Sequence, residues 1–392
     1  MSSEVPAFGE NAAKAGSLVE ELDKVTEDAI RDKRIVGTVI IVSKNGQVVY
    51  RHAAGYADRE KKTPMSEDTT FRLASMSKTI TSAAALALVD KGILSLDDSV
   101  SKWLPNFRPK LADGSEPTIT IRQLLTHTAG LNYSFEEKPD GPYHLAKVSD
   151  GLDQPGLGMA ENLKRIASAP LLFPPGTKWN YSVATDVLGA VIEKAAGKPL
   201  PKVIKELVTD PLEMSQTGFT IRDHQSLAVP YADGKPEPVR MSKVQLVPVG
   251  QGSFSFAPGR IFNKHSFPSG GGGMVGTADD YMKLLEELRT AKGTILSRSS
   301  LAGMTENQIG GMPATWEPGW GFSFCAAVLT DPSTAKTPHS KGTIQWGGAY
   351  GNHWFIDPEK KLSLVELTNT TLEGRSGQFS NSVIKAVYGA SH

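Results

Sequence analysis

Phe71-Arg72-Leu73-Ala74-Ser75-Met76-Ser77-Lys78-Thr79-Ile80-Thr81-Ser82-Ala83-Ala84-Ala85-Leu86-Ala87-Leu88-Val89 is a polar entry that runs straight into a strong helix former. Residues three apart on a helix are neighbours, so the Lys78 amine can lie beside the Ser75 hydroxyl. A serine hydroxyl is a poor nucleophile until an adjacent base activates it. At the first turn of a helix the serine also meets backbone N–H groups without intrahelical partners, which suit a developing oxyanion. The stretch therefore predicts a nucleophile and its base on one helical turn.

Spacing alone does not select it. Ser-x-x-Lys occurs four times, at Ser75/Lys78, Ser99/Lys102, Ser333/Lys336 and Ser382/Lys385. The second lies in a polar turn before Trp103-Leu104-Pro105, and the third in an Asp-Pro-Ser-Thr loop. The fourth falls on a C-terminal amphipathic helix where both side chains can be solvated. Only Ser75 leads into an apolar helix, so context decides.

The surrounding chain is ordinary for a globular protein: 392 residues, 39% hydrophobic and 21% charged. Its length fits two or three domains, or one catalytic fold with two lobes. The 42 Lys and Arg balance 42 Asp and Glu, which argues against nucleic acid or an anionic membrane as partner, since both favour a basic surface. A single cysteine, Cys325, excludes an intrachain disulfide and a multi-cysteine metal site. Residues 1–10 have neither the basic start nor the apolar core of a signal peptide. No stretch is apolar enough to span a bilayer, so a cytoplasmic location is the default expectation.

The order of predicted elements frames the motif. Leu18, Leu22, Val25, Ala29 and Ile30 recur at helical spacing, predicting an amphipathic helix over about 15–33. A strand from Val36 meets Asn45-Gly46, a strong hairpin signal, and returns from Gln47. Mainly helical sequence follows, including 121–125, 161–167 and 183–196, with an N-capped helix after Thr277. Strands return at Gly321–Leu329, Thr343–Trp346, His353–Asp357 and Leu362–Thr368 before a final helix over 378–388. Short connections favour antiparallel pairing. The expected fold is α/β in the α+β sense: one antiparallel sheet from both chain ends, flanked by terminal helices, with an inserted mostly helical lobe. The expected division places residues 15–74 and 277–390 in the sheet lobe and 75–276 in the insertion.

Four segments together, Phe71–Lys78, Leu124-Leu125-Thr126-His127-Thr128-Ala129-Gly130-Leu131, Pro175-Gly176-Thr177-Lys178-Trp179-Asn180-Tyr181-Ser182 and Trp346-Gly347-Gly348, resemble the serine β-lactamase and penicillin-binding-protein superfamily. The chain looks most like its family VIII carboxylesterases, which are similar to class C β-lactamases. The resemblance implies Ser75 as acylated nucleophile, Lys78 as its base partner, and Tyr181 as proton shuttle. It implies an oxyanion hole from the backbone N–H groups of Ser75 and Ala349, beside a substrate-binding strand at Trp346, Gly347 and Gly348. Two departures separate the chain from the lactamases. Val183 replaces the Asn of Tyr-x-Asn, and Trp346 replaces the cationic Lys of Lys-Thr-Gly. Both make the cleft more apolar, favouring an uncharged alkyl or aryl ester over an anionic lactam.

Other features carry less. No Gly-x-Ser-x-Gly elbow is present; Ser149 has Gly151 after it but Lys147 before it. His127 reads as a turn histidine bonded to backbone near the cleft, and the histidines show no metal-ligand spacing, so no metal and no cofactor are expected. Gly270–Gly273 lacks the residues of a P-loop and reads as a flexible or close-packed loop by the cleft. Tyr133, Trp179, Tyr350 and Trp354 are candidates to line an acyl pocket. The expected partner is a small-molecule ester, with no nucleic acid and no membrane; a homodimer stays open. Rival readings are a class C-like β-lactamase or D-alanyl peptidase, an acyltransferase to a small alcohol, and an inactive binding protein of the same fold.

Overall fold

The computed structural model describes residues 8–221, 224–313 and 317–389. Residues 1–7, part of the stretch searched for a signal peptide, and residue 390 lie outside them. Helix α1 covers Phe8–Arg31, strand β1 Gly37–Lys44 and strand β2 Gln47–Asp58. The turn between the strands has positive φ at both Asn45 (53°) and Gly46 (80°), the backbone that a tight two-residue hairpin requires.

β1 lies inside an eight-stranded sheet whose order is Trp320–Phe322, Ala327–Leu329, Ile344–Gly348, Asn352–Asp357, Leu362–Thr368, β1, β2 and Thr63–Pro64. Every pairing is antiparallel, with Thr38 opposite Thr368 and Trp346 opposite Trp354. Strand side chains alternate between faces, and β1 uses both. Ile40 and Val42 join Leu22 of α1 and Phe379 and Val383 of the helix Gln378–Gly389 in one core. Val39 and Ile41 join the larger core beneath the other face.

Gly321–Leu329 is not one strand. Ser323 Oγ accepts hydrogens from the backbone of Cys325 (3.2 Å) and Ala326 (3.1 Å), folding the chain into a hairpin turn between two three-residue strands. A serine that satisfies local backbone groups competes with the sheet ladder. Cys325 is buried in that turn.

Helix α2, Ser77–Asp90, is buried along nearly its whole length, as an all-round apolar helix should be. Its alanines allow close approach by the helix Ala184–Ala196, and burial of Ile80, Leu86 and Leu88 contributes about 1.5–3 kcal/mol each. The segment ahead of it is pinned separately. Phe71–Arg72 pairs with Val275–Gly276, and the Leu73 N–H donates to Met274 O at 2.9 Å. Among the described residues no helix is long and apolar enough to cross a membrane.

Candidate active site

Ser75 sits one step earlier than expected, in a 3₁₀ turn at Ala74–Met76 that leads into α2. Ala74 has φ of 45°, a left-handed conformation that costs a non-glycine residue about 1–3 kcal/mol and clusters at functional sites. The Tyr281 hydroxyl, donating to Met76 O at 3.1 Å, helps hold the turn.

The turn brings three side chains together. Lys78 Nζ lies 3.3 Å from Ser75 Oγ, and the Tyr181 hydroxyl donates to the same oxygen at 2.7 Å. Lys78 is 1% exposed, and its second hydrogen bond goes to Gly271 O at 2.7 Å. Its Nζ also lies over the rings of Tyr181 (4.7 Å) and Tyr133 (5.2 Å). It forms no salt bridge with any described carboxylate.

Tyr181 is aimed by its neighbours. Asn180 Nδ2 donates to Leu131 O (2.9 Å) and Asn132 Oδ1 (3.1 Å), while the Asn180 N–H donates to His127 O (2.9 Å). His127 Nδ1 accepts the Ser182 N–H at 3.2 Å, so that nitrogen carries no proton. Burial, then the Lys78 charge, holds the imidazole well below its ordinary pKa. It is the backbone-bonded turn histidine expected, and it makes no hydrogen bond to Ser75. Val183 is fully buried in the core.

The strand Ile344–Gly348 closes the other side. Its pairing with Ala327–Val328 ends at Gln345, one residue before Trp346. Asn352 Nδ2, on the next strand, donates to Arg72 O at 2.8 Å and ties the sheet to the nucleophile turn. Gly348 packs under that turn; a Cβ there would meet Leu73 O at 2.3 Å. Ser75 and Ala349 therefore both border one cleft of about 410 Å³, with Tyr181, Trp346 and Gly347.

Several expected pocket residues lie elsewhere. Tyr350 is buried against Phe256 (4.6 Å) and the Arg72 guanidinium (5.8 Å), on a separate cavity of about 30 Å³. Tyr133 is buried beside Tyr181 at 5.1 Å, and Trp179 stacks behind Tyr181 at 6.5 Å. Trp354 is fully buried near Tyr281. None of these, nor Gly348, lines the cleft. Aromatic character alone does not say which ring faces solvent and which supports the ring that does.

The walls come instead from residues without a sequence signal. Phe135 and Phe254, 4.4 Å apart, form one side. Arg375, on the helix Thr371–Ser376, reaches across Phe254 at 5.7 Å and makes no hydrogen bond or ion pair with the described residues. A positive charge is thus present although Trp346 removes the one expected on the strand. Beyond Trp346 the cleft reaches His339, Trp320 and two exposed lysines, Lys336 and Lys385.

Two of the other Ser-x-x-Lys serines are engaged away from the cleft. Ser99 caps the helix Val100–Trp103, and Ser333 donates to Asp331. Ser149 donates to Asp153 at 2.5 Å. The glycine run is close-packed: a Cβ on Gly270 would meet Thr185 O at 2.9 Å. No group of three or more His, Cys, Asp or Glu suited to a metal occurs among the described residues.

A large antiparallel sheet flanked by helices, with Ser75, Lys78 and Tyr181 converging beside its strand Ile344–Gly348, defines a serine hydrolase scaffold of the β-lactamase and penicillin-binding-protein type. The chain belongs to the Beta-lactamase family, whose model matches residues 18–388. It is 48% identical over 377 residues to Esterase EstB of Burkholderia gladioli, covering 95% of this chain and 96% of that protein. The solved structure of EstCE1, a hydrolase with promiscuous acyltransferase activity, superposes with a TM-score of 0.94 at 44% identity, over 96% of this chain and 100% of that one. The unliganded simvastatin synthase LovD of Aspergillus terreus shares the fold, with a TM-score of 0.73 at 20% identity over 95% and 98% of the two chains.

Proposed function

We propose that this chain is a family VIII-type serine carboxylesterase that hydrolyses short-chain or aryl esters through a Ser75 acyl-enzyme. One observation carries the reading: Ser75 Oγ is within hydrogen-bond reach of both the Tyr181 hydroxyl (2.7 Å) and Lys78 Nζ (3.3 Å) at the wall of an open cleft. Nearly full-length similarity to an esterase and to a hydrolase supports it.

In the first half-reaction Ser75 Oγ bonds to the ester carbonyl carbon while its proton passes to the Tyr181–Lys78 pair. The carbonyl oxygen becomes an oxyanion facing the N–H groups of Ser75 and Ala349; such donors are worth roughly 10²–10³ in rate each. The carbon–alkoxy bond breaks, and Tyr181 returns a proton to the departing alcohol. Water then attacks the acyl-serine, giving its proton to the same pair. The acid leaves and Ser75 regains its hydrogen. An alcohol in place of water gives acyl transfer, an activity that EstCE1 carries as a promiscuous one.

The two-lobe division at 15–74 with 277–390 and 75–276 belongs to this reading, because it places the nucleophile turn at the junction. Every group invoked comes from one chain, so the chemistry requires neither a nucleic acid nor a second copy. Labelling with a fluorophosphonate followed by peptide mass mapping tests the assignment. Modification of Ser75 supports it, whereas no labelling, or labelling at Ser149 alone, contradicts it.

A further inference from the structure

Lys78 meets only neutral acceptors directly, Ser75 Oγ and Gly271 O. Gly271, which supplies the nearer acceptor, is itself held through the N–H of its preceding peptide group. Asp186 Oδ1 accepts the Gly271 N–H at 2.9 Å and the Ser269 hydroxyl at 2.7 Å. Asp186 lies in the first turn of the helix Ala184–Ala196 and is 0% exposed. Its second oxygen, Oδ2, is buried with no hydrogen-bond partner among the described residues. An unsatisfied buried carboxylate oxygen costs stability, and packing alone would favour an apolar residue there.

We propose that Asp186 is a positioning residue for acyl transfer at Ser75. Through Gly271 it aims a carbonyl at the Lys78 amine, and its negative charge sets the field in which that amine gains and loses its proton. This inference rests on the esterase reading and adds to it a residue one peptide removed from the reacting atoms. Its electrostatic surroundings are mixed. Lys78 faces it from α2, Arg260 from the turn Pro258–Phe262, and Tyr133 from the 131–136 segment. The Asp150–Asp153 turn packs against it, since a Cβ on Gly151 would lie 3.2 Å from Asp186 Oδ2. Burial raises its pKa, while the Gly271 N–H, the Ser269 hydroxyl and the Lys78 and Arg260 charges oppose that rise.

Two consequences separate positioning from mere packing. Asp186→Asn keeps an oxygen to accept the Gly271 N–H but removes the charge. A nearby negative charge favours the protonated amine, so its removal lets Lys78 work as a base at lower pH. The acid limb of the kcat/KM profile should move down by about half a pH unit or more. Asp186→Ala also frees the Gly271 N–H and so loosens the residue whose carbonyl meets Lys78, and kcat should fall on the order of tenfold or more with KM little changed.

The experiment follows p-nitrophenyl butyrate hydrolysis against pH for wild type, Asp186→Asn and Asp186→Ala, with circular dichroism and fluorophosphonate labelling of Ser75 alongside. A downshifted acid limb in folded Asp186→Asn supports the proposal. A superimposable profile and wild-type kcat in folded Asp186→Asn overturn it while leaving the esterase reading intact. Wild type that neither hydrolyses the ester nor labels at Ser75 overturns both. If the Asp186 variants do not fold, Ser269→Ala decides. It removes one donor from the carboxylate and lowers its average charge, so the limb should move the same way by less. An unmoved limb in folded Ser269→Ala overturns the proposal.

Discussion

The Tyr181 hydroxyl donates to Ser75 Oγ across 2.7 Å, from a ring packed between His127 at 4.9 Å and Trp346 at 5.1 Å. The phenol is therefore held by packing as well as by its own hydrogen bond. Tyr181→Phe keeps the ring and removes the proton carrier. Ester turnover should fall roughly 10²–10⁴-fold, with a melting temperature close to wild type. Steady-state kinetics and a thermal melt check both halves, and near-normal turnover would remove Tyr181 from proton transfer.

Gly348 is fixed by steric contact with a backbone carbonyl, since its absent Cβ would meet Leu73 O at 2.3 Å. Neither group can swing aside as a flexible side chain would. Gly348→Ala should separate the strand from the nucleophile turn, costing roughly 1–3 kcal/mol of stability and most of the ester turnover. A melt and an initial-rate assay suffice. Wild-type activity in this variant would mean that the strand and the turn need not meet so closely.

Arg375 lines the cleft and has no hydrogen-bond partner among the described residues. A charge-assisted hydrogen bond is worth about 1.5–3 kcal/mol, roughly 10- to 100-fold in affinity. Arg375→Gln should therefore depress kcat/KM for an ester bearing a carboxylate far more than for p-nitrophenyl butyrate. Equal losses on both substrates would assign Arg375 to packing against Phe254.

Asp150 is buried, accepting the Ser134 N–H at 3.0 Å and bonding the Ser134 hydroxyl. Burial, then the Asp153 charge, pushes its pKa up from 3.8 to about 7. The folded state thus binds a proton that the unfolded state has released between those values. Asp150's contribution to stability is present at acid pH and is lost as pH rises towards and past 7. Melting temperatures of wild type and Asp150→Asn should diverge in the variant's favour from pH 5 to 8. Parallel curves would show that Asp150 does not titrate in this range.

Local signals carried the hairpin at Asn45-Gly46, the helix after Ser75 and the late strands, because each has a short-range pattern of turn residues or hydrophobic spacing. The split at Ser323 was missed because an apolar run hides a serine whose oxygen satisfies two N–H groups. The hairpin Gln245–Phe256 was not anticipated either; Pro248 weakens its strand pattern. Ser75, Lys78 and Tyr181 were legible through short motifs. Phe254, Arg375 and Asp186 were not, since each reaches the site only through contacts distant in sequence, whereas the glycine run holding Gly271 was expected by the cleft. Tyr133 and Trp179 looked like pocket residues because sequence does not distinguish a ring lining a cleft from one supporting it.

The most direct test compares initial rates on p-nitrophenyl butyrate and nitrocefin for wild type and Ser75→Ala. A Ser75 esterase turns over the ester, loses that turnover in Ser75→Ala, and hydrolyses little nitrocefin. Ester turnover unchanged in Ser75→Ala would contradict the assignment of the nucleophile, and dominant nitrocefin turnover would make the protein a β-lactamase instead.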